Sequence, residues 1–284
     1  MAATNELLGP ILRDVSRSFY LTLRVLPRSV RPQIGLAYLL ARATDSIADT
    51  NLVPWKDRVE RLRQFRERIR YTDALPVDFS DLAQQQDNPA EHRLLDHSHE
   101  MLEMLDTLMP EDRGQVQLLL ETITRGQELD LRRFGDGSKL ASLKTPTELD
   151  DYTYHVAGCV GEFWTRLTRQ HCFPGTQLNE DEFLADAARF GRGLQLVNVL
   201  RDVPRDLRLG RCYLPADELK AAGLKPADLL DPGAWDKLEP VFNKWRHKAR
   251  AHLTAGWRYT NTIPCDQYRL RLGCAWPILL GIKT

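Results

Sequence analysis

Two places in the sequence put a pair of aspartates four residues apart within a stretch that has the pattern of a helix. The first is D-S-I-A-D at 45–49 and the second is D-V-P-R-D at 202–206. Side chains at i and i+4 share one face of a helix, so the two carboxylates of each pair repel each other unless a cation lies between them. Mg²⁺ suits such a site because it binds carboxylate and phosphate oxygens together. The spacing therefore predicts metal sites for a diphosphate.

An aspartate pair at this spacing is also common on solvated helix faces, and one pair alone favours a structural role. The surrounding residues change that balance. Residues 31–50 and 194–200 are apolar on most sides, which is typical of buried helices, and carboxylates at the ends of buried helices need partners. Arg42, Arg201 and Asn198 stand close by in sequence. Arginine suits a diphosphate because its planar fork binds two phosphate oxygens at once.

The pattern of the whole chain is helical. Apolar residues recur at spacings of three and four, and no segment shows sustained alternation with period two. Thr145 to Glu148 is a capping box with proline at the first helical position, and Asn179 with Glu182 marks a second helix start. We expect one all-α domain over residues 1–284 with eight to ten helices. The predicted helices cover 31–50, 55–71, 90–108, 111–134, 145–171, 179–204, 233–260 and 266–282.

Composition and charge restrict the class of protein. The chain has 284 residues, of which 43% are hydrophobic and 27% charged, an ordinary balance for a globular protein. Its 39 basic and 39 acidic residues cancel, so no nucleic-acid partner is expected and an anionic substrate must be held by local cations. The five cysteines include no C-x-x-C pair, and neither a signal peptide nor an apolar run of about 18 residues occurs. These features predict a cytoplasmic protein.

Beyond the aspartate pairs, the chain resembles the squalene and phytoene synthase family over about residues 12–282. Its motifs stand in the family's order. They are S-R-S-F at 16–19, Y-L-L-A-R-A-T-D-S-I-A-D at 38–49, Y-T-Y-H-V-A-G-C-V-G at 152–161, Q-L-V-N-V-L-R-D-V-P-R-D at 195–206 and G-R-C-Y-L-P at 210–215. The resemblance implies an all-α, single-domain isoprenoid synthase fold, with helices around a central cavity and the two aspartate motifs facing each other at its mouth.

The resemblance also implies a role for individual residues. Those expected to hold Mg²⁺ and diphosphate are Asp45, Asp49, Asn198, Asp202 and Asp206. Those expected to bind diphosphate oxygens are Arg42, Arg201 and Arg211. Those expected near the substrate chain are Ser16, Arg17, Phe19, Tyr38, Val156, Val160, Trp164 and Gln195. Tyr152 would assist removal of a proton from the carbocation or stabilise that cation, although Tyr152 and Trp164 could equally be core aromatics, and Gly158 and Gly161 could serve packing alone.

Three products compete within the family. The S-R-S-F and D-S-I-A-D motifs are nearer to squalene synthases, which join two farnesyl diphosphates to presqualene diphosphate and reduce it with NADPH, whereas G-R-C-Y-L-P is similar to the phytoene synthases. We expect a squalene synthase of bacterial type that uses Mg²⁺ and NADPH. The alternatives are a phytoene or dehydrosqualene synthase and a presqualene diphosphate synthase without reduction. Outside the family's activity, a terpene cyclase or an inactive member that acts as a partner protein remains open.

Two further expectations concern cofactor and partners. The sequence has no G-x-G-x-x-G loop and stops at Thr284, before the basic segment that eukaryotic squalene synthases use for NADPH, so no residue is assigned to that cofactor. All four aspartates and Arg42, Arg201 and Arg211 are present, which argues against an inactive member. We expect a monomer whose apolar product favours peripheral contact with a membrane.

Overall fold

The computed structural model describes residues 2–16, 19–50 and 53–284, and this part of the chain is almost entirely helical. It contains fifteen α-helices: α1 Ala2–Glu6, α2 Leu12–Ser16, α3 Tyr20–Val25, α4 Arg31–Asp49, α5 Trp55–Arg70, α6 Ser80–Gln84, α7 Pro89–Asp96, α8 Ser98–Asp106, α9 Pro110–Phe134, α10 Pro146–Thr153, α11 Cys159–Cys172, α12 Glu180–Arg208, α13 Ala216–Ala221, α14 Trp235–Thr262 and α15 Tyr268–Lys283. Two π-helical segments, Leu7–Ile11 and Tyr154–Gly158, and two short 3₁₀ segments, Pro226–Leu230 and Pro232–Ala234, join them. The all-α prediction is confirmed.

The prediction of eight to ten helices is wrong, mainly because short helices were missed. Helices α1, α2, α3, α6 and α13 have five or six residues each, too few for an apolar period to be recognised. The predicted helix 90–108 is interrupted at His97, where α7 ends and α8 begins. The predicted end at Pro204 is also wrong, since α12 continues to Arg208. Proline removes one backbone donor but need not end a long helix that is packed along its length.

The predicted helix starts are confirmed by their caps. The Thr145 hydroxyl accepts a hydrogen bond from the Glu148 amide at 3.3 Å, and the Glu148 carboxylate accepts one from the Lys144 amide at 2.6 Å. The side-chain oxygen of Asn179 accepts a hydrogen bond from the Glu182 amide at 3.2 Å. Each cap satisfies a backbone donor that the first helical turn leaves without a partner.

The chain divides into two compact units. The first consists of residues 1–128, 163–176 and 264–273, and the second of residues 129–162, 177–263 and 274–284. In the first unit, α4 is buried along most of its length and packs against α5, α7 and α8. In the second, α12 packs mainly against α14 and against the π-helical segment 154–158. The expectation of a single domain over 1–284 stays a prediction.

A two-residue parallel bridge orders part of the second unit. Strand β1, Ala141–Ser142, pairs with β2, Arg211–Cys212, in the register Ala141 to Arg211 and Ser142 to Cys212. Gly210, with φ of 77°, has no room for a side chain, because a Cβ there would lie 2.3 Å from the Gly137 carbonyl oxygen. The bridge therefore fixes the backbone of the G-R-C-Y-L-P motif.

Glycines allow α12 to lie directly against the helix that precedes it. A Cβ on Gly161 would lie 2.1 Å from the Ala187 carbonyl oxygen, and one on Gly191 would lie 2.0 Å from the Ala157 carbonyl oxygen. These contacts are with backbone atoms, which cannot move aside as a side chain can. Packing is thus a sufficient reason for Gly161 in the Y-x-x-x-V-A-G-x-V-G motif.

We therefore expect Gly161→Ala to lower the free energy of unfolding by about 3 kcal/mol, since the two helices must separate to admit the methyl group. Chemical denaturation of the purified protein measures this change. Gly114→Ala in α9 is the matched control, because nothing lies within 4 Å of its Cβ position. Removing that exposed helical glycine should raise stability by about 0.5 kcal/mol. Equal stabilities for the two variants would contradict the packing role.

Candidate active site

The first aspartate motif lies in the last two turns of α4, beside a cavity in the first unit. The cavity has a volume of about 320 Å³. It is lined by Val15, Ser16, Phe19, Tyr38, Ala41, Arg42 and Asp45. The rings of Phe19 and Tyr38 stack with centroids 5.6 Å apart and an interplanar angle of 18°. Five residues proposed from the sequence thus line one space, and they include two aromatic rings, a carboxylate and a guanidinium.

Asp45 sits in an environment that disfavours its charge. Its side chain is 43% exposed, because solvent reaches it through the cavity, yet protein atoms surround the carboxylate. Desolvation, with a further contribution from the negative charge of Asp49, raises the pKa of Asp45 from 3.8 to about 6. Arg42 offsets little of this effect, since its Nη1 is 3.7 Å from the carboxylate. Ionised Asp45 is therefore short of positive charge, which a bound cation would supply.

Two residues that sequence reasoning missed hold this motif in place. Glu91, in the first turn of α7, accepts hydrogen bonds from Arg42 Nη2 at 2.5 Å and from the Ser46 hydroxyl at 3.3 Å. Gln127 of α9 donates to Asp45 Oδ1 at 2.7 Å and to the Thr44 hydroxyl at 3.0 Å. Neither residue lies in a recognisable motif, and their separation from α4 in the sequence leaves no local signal. Glu91 directs the guanidinium of Arg42, and Gln127 directs the carboxylate of Asp45.

The second aspartate motif lies on α12 in the second unit. Gln195, Asn198, Asp202 and Asp206 follow one another at spacings of three and four, which places them along one side of the helix. Asp202 is bound by its neighbour Arg201, whose Nε and Nη2 donate to the two carboxylate oxygens at 2.8 and 2.6 Å. This hydrogen bonding lowers the pKa of Asp202 below its ordinary value.

Farther along the motif, Asp206 and Arg211 line a narrow cleft next to Tyr213. The cleft has no space for a water-sized molecule. The second motif therefore differs from the first. The carboxylate of Asp202 is already paired with Arg201, whereas the negative charge of Asp45 is only partly compensated.

Tyr152 connects to the second motif through hydrogen bonds. Its hydroxyl accepts a hydrogen bond from Gln195 Nε2 at 3.2 Å, and Gln195 Oε1 accepts one from Asn198 Nδ2 at 3.3 Å. Its ring stacks on that of Tyr213 with centroids 4.5 Å apart and an interplanar angle of 28°. Tyr152 is therefore a half-buried, oriented residue whose hydroxyl is directed to the polar side of α12.

The π-helical segment Tyr154–Gly158 affects the residues that follow Tyr152. The π segment changes the number of residues per turn, so the positions that follow Tyr152 depart from the α-helical period. Such segments are frequent at functional sites. Val156 is half-buried and Val160 is 37% exposed. Sequence patterns could not predict this segment, because its composition does not differ from that of an α-helix.

The remaining sequence predictions have separate outcomes. Trp164 belongs to the first unit and packs near Gly273, whose Cβ position is 3.6 Å from Cη2 of the indole. Arg17 lies outside the residues that the structure describes. That the two aspartate motifs face each other, and that Val156, Val160 and Trp164 line a prenyl tunnel, stay predictions.

The carboxylates of the two aspartate motifs can be compared with the ligands that Mg²⁺ prefers. In the described part of the chain, no three His, Cys, Asp or Glu side chains come together in a way that could hold a metal. Each motif therefore offers carboxylates in pairs. Such a set fits Mg²⁺, which keeps several waters and is bound through one or two carboxylates together with substrate phosphates. The deficit of positive charge at Asp45 also favours a bound cation.

Known proteins match this chain over most of its length. The squalene/phytoene synthase family profile matches residues 12–284. A presqualene diphosphate synthase from Rhodopseudomonas palustris is 30% identical over 251 residues, which are 87% of this chain and 75% of that protein. Phytoene synthase 3 of Zea mays is 26% identical over 275 residues, which are 95% of this chain and 54% of that enzyme. The chain thus spans about half the length of the maize relative.

Among solved structures, squalene synthase HpnC from Alicyclobacillus acidocaldarius superposes with a TM-score of 0.68 at 21% identity, over 99% of this chain and 92% of that one. This likeness shows the all-α isoprenoid synthase fold. None of the helices in the described residues is long and apolar enough to span a membrane. Because the family profile covers nearly the whole sequence, the chain belongs to the squalene/phytoene synthase family, whose members are prenyltransferase-type enzymes that bind isoprenyl diphosphates with Mg²⁺.

Proposed function

We propose that this protein is a squalene synthase, which joins two molecules of farnesyl diphosphate head to head to give presqualene diphosphate and reduces that intermediate with NADPH. The observation that carries the proposal is the cavity at the first aspartate motif, which is lined by Asp45 and Arg42 together with the stacked rings of Phe19 and Tyr38. Such a space suits an allylic diphosphate, with its anionic end at the polar residues and its chain against the aromatic ones.

The coupling step divides into tasks that these residues can perform. Loss of pyrophosphate from one allylic substrate leaves a carbocation, and formation of the new carbon–carbon bonds releases a proton. When bound, Mg²⁺ would neutralise the departing pyrophosphate. Arg42, Arg201 and Arg211 would bind its oxygens, as guanidinium forks do. Aromatic faces such as those of Phe19 and Tyr38 would stabilise the cation and exclude water that would quench it.

Metal dependence is the first consequence. We expect turnover to stop in excess chelator and to return with Mg²⁺ or Mn²⁺, because two adjacent carboxylates cannot bind a diphosphate directly. The pKa of Asp45 near 6 adds a pH dependence. Below pH 6 Asp45 is protonated and cannot act as a ligand, so the Mg²⁺ concentration for half-maximal activity should rise steeply there and level off above pH 7. Full turnover in chelator, or a Mg²⁺ requirement independent of pH, would contradict this assignment.

The reductive half of the reaction rests on sequence resemblance alone. The S-R-S-F and D-S-I-A-D motifs resemble those of squalene synthases more than those of phytoene synthases, and NADPH when bound would supply the hydride. The chain has no G-x-G-x-x-G loop, and none of the described residues is assigned to the cofactor. No step of the reduction is therefore derived from the geometry.

A second candidate is a synthase that stops at presqualene diphosphate. It is favoured by the Rhodopseudomonas palustris relative, which bears that name and covers 87% of this chain. Product analysis separates the candidates. Labelled farnesyl diphosphate and Mg²⁺ should give presqualene diphosphate without NADPH and squalene with it. Presqualene diphosphate under both conditions would support the second candidate, and a conjugated triene under both would support a phytoene or dehydrosqualene synthase. No product from farnesyl or geranylgeranyl diphosphate would support an inactive partner protein.

We also propose that the protein acts as a cytoplasmic monomer with peripheral membrane contact. The proposal follows from the balanced composition and from the very low solubility of the product in water. Sedimentation analysis should give a mass near 32.6 kDa. In a flotation assay, product-loaded protein should associate with lipid vesicles more than substrate-free protein does.

A further inference from the structure

Tyr213, in the G-R-C-Y-L-P motif, is a buried residue to which sequence analysis assigned no role. Only 8% of its surface is exposed. Its ring stacks on the ring of Tyr152 at 4.5 Å, and the ring of Phe134 meets it edge-on at 5.3 Å. One face of the Tyr152 ring is therefore in contact with a buried aromatic side chain.

The backbone on both sides of Tyr213 is also fixed. The two residues before it form strand β2, which pairs with β1. The Leu143 amide donates to the Cys212 carbonyl oxygen at 3.0 Å, and the Ala216 amide donates to the Leu143 carbonyl oxygen at 2.8 Å. These hydrogen bonds join the backbone on both sides of Tyr213 to Leu143. They fix the position of Tyr213 beside Tyr152.

The hydroxyl of Tyr213 is fixed by a third element. It donates to Asp130 Oδ2, near the end of α9, at 2.8 Å. Burial, together with the negative charge of Asp130, raises the pKa of Tyr213 well above its ordinary value. The hydrogen bond to Asp130 therefore opposes rotation of the Tyr213 ring away from its neighbour.

We infer that Tyr213 is a positioning residue for the coupling step and acts through Tyr152. The Tyr213 ring sets the plane of the Tyr152 ring, and Gln195 then sets the direction of the Tyr152 hydroxyl. Without the stack, the phenol could tilt away from α12 and from the reacting carbon. This inference rests on the proposed function, because it assigns Tyr213 to the reaction in which Tyr152 takes part.

The test is a double-mutant cycle on turnover of farnesyl diphosphate. Tyr213→Leu removes the stack and should lower kcat between about 10- and 100-fold, the effect of a small displacement of a reacting group. Tyr213→Phe keeps the ring and should lower kcat less. In the Tyr152→Phe background, Tyr213→Leu should change the residual rate by less than about twofold, because its effect passes through the missing hydroxyl. Affinity for pyrophosphate with Mg²⁺, measured by calorimetry, should stay within about twofold in every variant.

The control is Tyr259→Leu, which disrupts a similar buried stack. The rings of Phe183 and Tyr259 lie 4.4 Å apart at 15°, and Tyr259 is 2% exposed. Any loss of kcat from this variant should be equal in both backgrounds. If Tyr213→Leu also lowers kcat equally in both backgrounds, or has a normal kcat, the inference is wrong. Tyr213→Phe keeps the test informative if Tyr213→Leu does not fold. A wild-type protein that cannot couple farnesyl diphosphate would instead refute the proposed function itself.

Discussion

Asp45→Asn is expected to lower turnover of farnesyl diphosphate by about 10²- to 10⁴-fold, the effect of losing several kcal/mol of metal-assisted stabilisation. The same change should make the metal-free protein more stable. Asn keeps a carbonyl oxygen that can accept the hydrogen bond from Gln127, which is 2.7 Å from Asp45 Oδ1. It removes the negative charge that desolvation and Asp49 disfavour.

The sign of the stability change follows from proton linkage. The pKa of Asp45 is about 6 in the folded protein, above its ordinary value of 3.8. The unfolded chain therefore releases this proton first, and stability falls as pH rises from about 4 to 6. Above pH 6 the folded protein carries the full free-energy cost of ionised Asp45. Because the side chain is 43% exposed, solvent screening reduces that cost to about 1 kcal/mol. Asp45→Asn should recover it at pH 7.5, a rise in Tm of about 2 °C.

Asp202→Asn should also abolish most activity, but with the opposite effect on stability. The Asp202 carboxylate is hydrogen-bonded by Arg201, which lowers its pKa. Both side chains are partly exposed, so the pair contributes between about 0 and 1 kcal/mol, which the substitution removes.

Product formation and thermal unfolding in chelator measure these two effects, and Asp73→Asn in an exposed loop serves as the control. Near wild-type turnover in either variant would show that the motif concerned binds no essential metal. Equal stability changes in the two variants would contradict the difference in their electrostatic environments.

Local sequence patterns predicted those parts of the fold and site that depend on local chemistry. The i, i+4 spacing placed Asp45 and Asp49 on one helix, and the caps at Thr145 and Asn179 began helices where expected. The family resemblance, rather than local patterns, implies a substrate role for the S-R-S-F motif, and the structure brings Ser16, Phe19, Tyr38, Arg42 and Asp45 to one cavity.

What could not be predicted depends on contacts between distant residues. Glu91 and Gln127 reach α4 from positions 45 or more residues away, and a single sequence carries no signal of such a contact. The bridge between β1 and β2 has two residues on each side, which is too short to show an alternating pattern. The role of Tyr213 likewise becomes visible only from its stack on Tyr152.

Tyr152→Phe is expected to lower kcat by at least about 10²-fold, the range for loss of a positioned acid or base, while leaving diphosphate binding nearly intact. A phenol with a pKa of about 10 is a poor base in water. Beside pyrophosphate and a carbocation, however, a phenol held by Gln195 can take up the proton that the cation loses while giving its own proton to the departing anion, or it can stabilise the cation. Under the proposed function, binding would rest on the aspartates and arginines, which the substitution does not touch. Single-turnover kinetics measure the coupling rate, and calorimetry with Mg²⁺ and pyrophosphate measures the affinity.

The matched control is Tyr154→Phe, two residues later, where the π-helical segment begins. The Tyr154 hydroxyl donates to Glu162 Oε1 at 3.3 Å, and its ring lies 5.1 Å from the guanidinium carbon of Arg192. This substitution also removes one phenolic hydroxyl, but one that is bonded to Glu162. It should leave kcat within about twofold of the wild-type value, as expected for a hydroxyl outside the reaction. Coupling at the normal rate by Tyr152→Phe, or equal losses in both variants, would remove Tyr152 from the chemistry and leave it as a core aromatic.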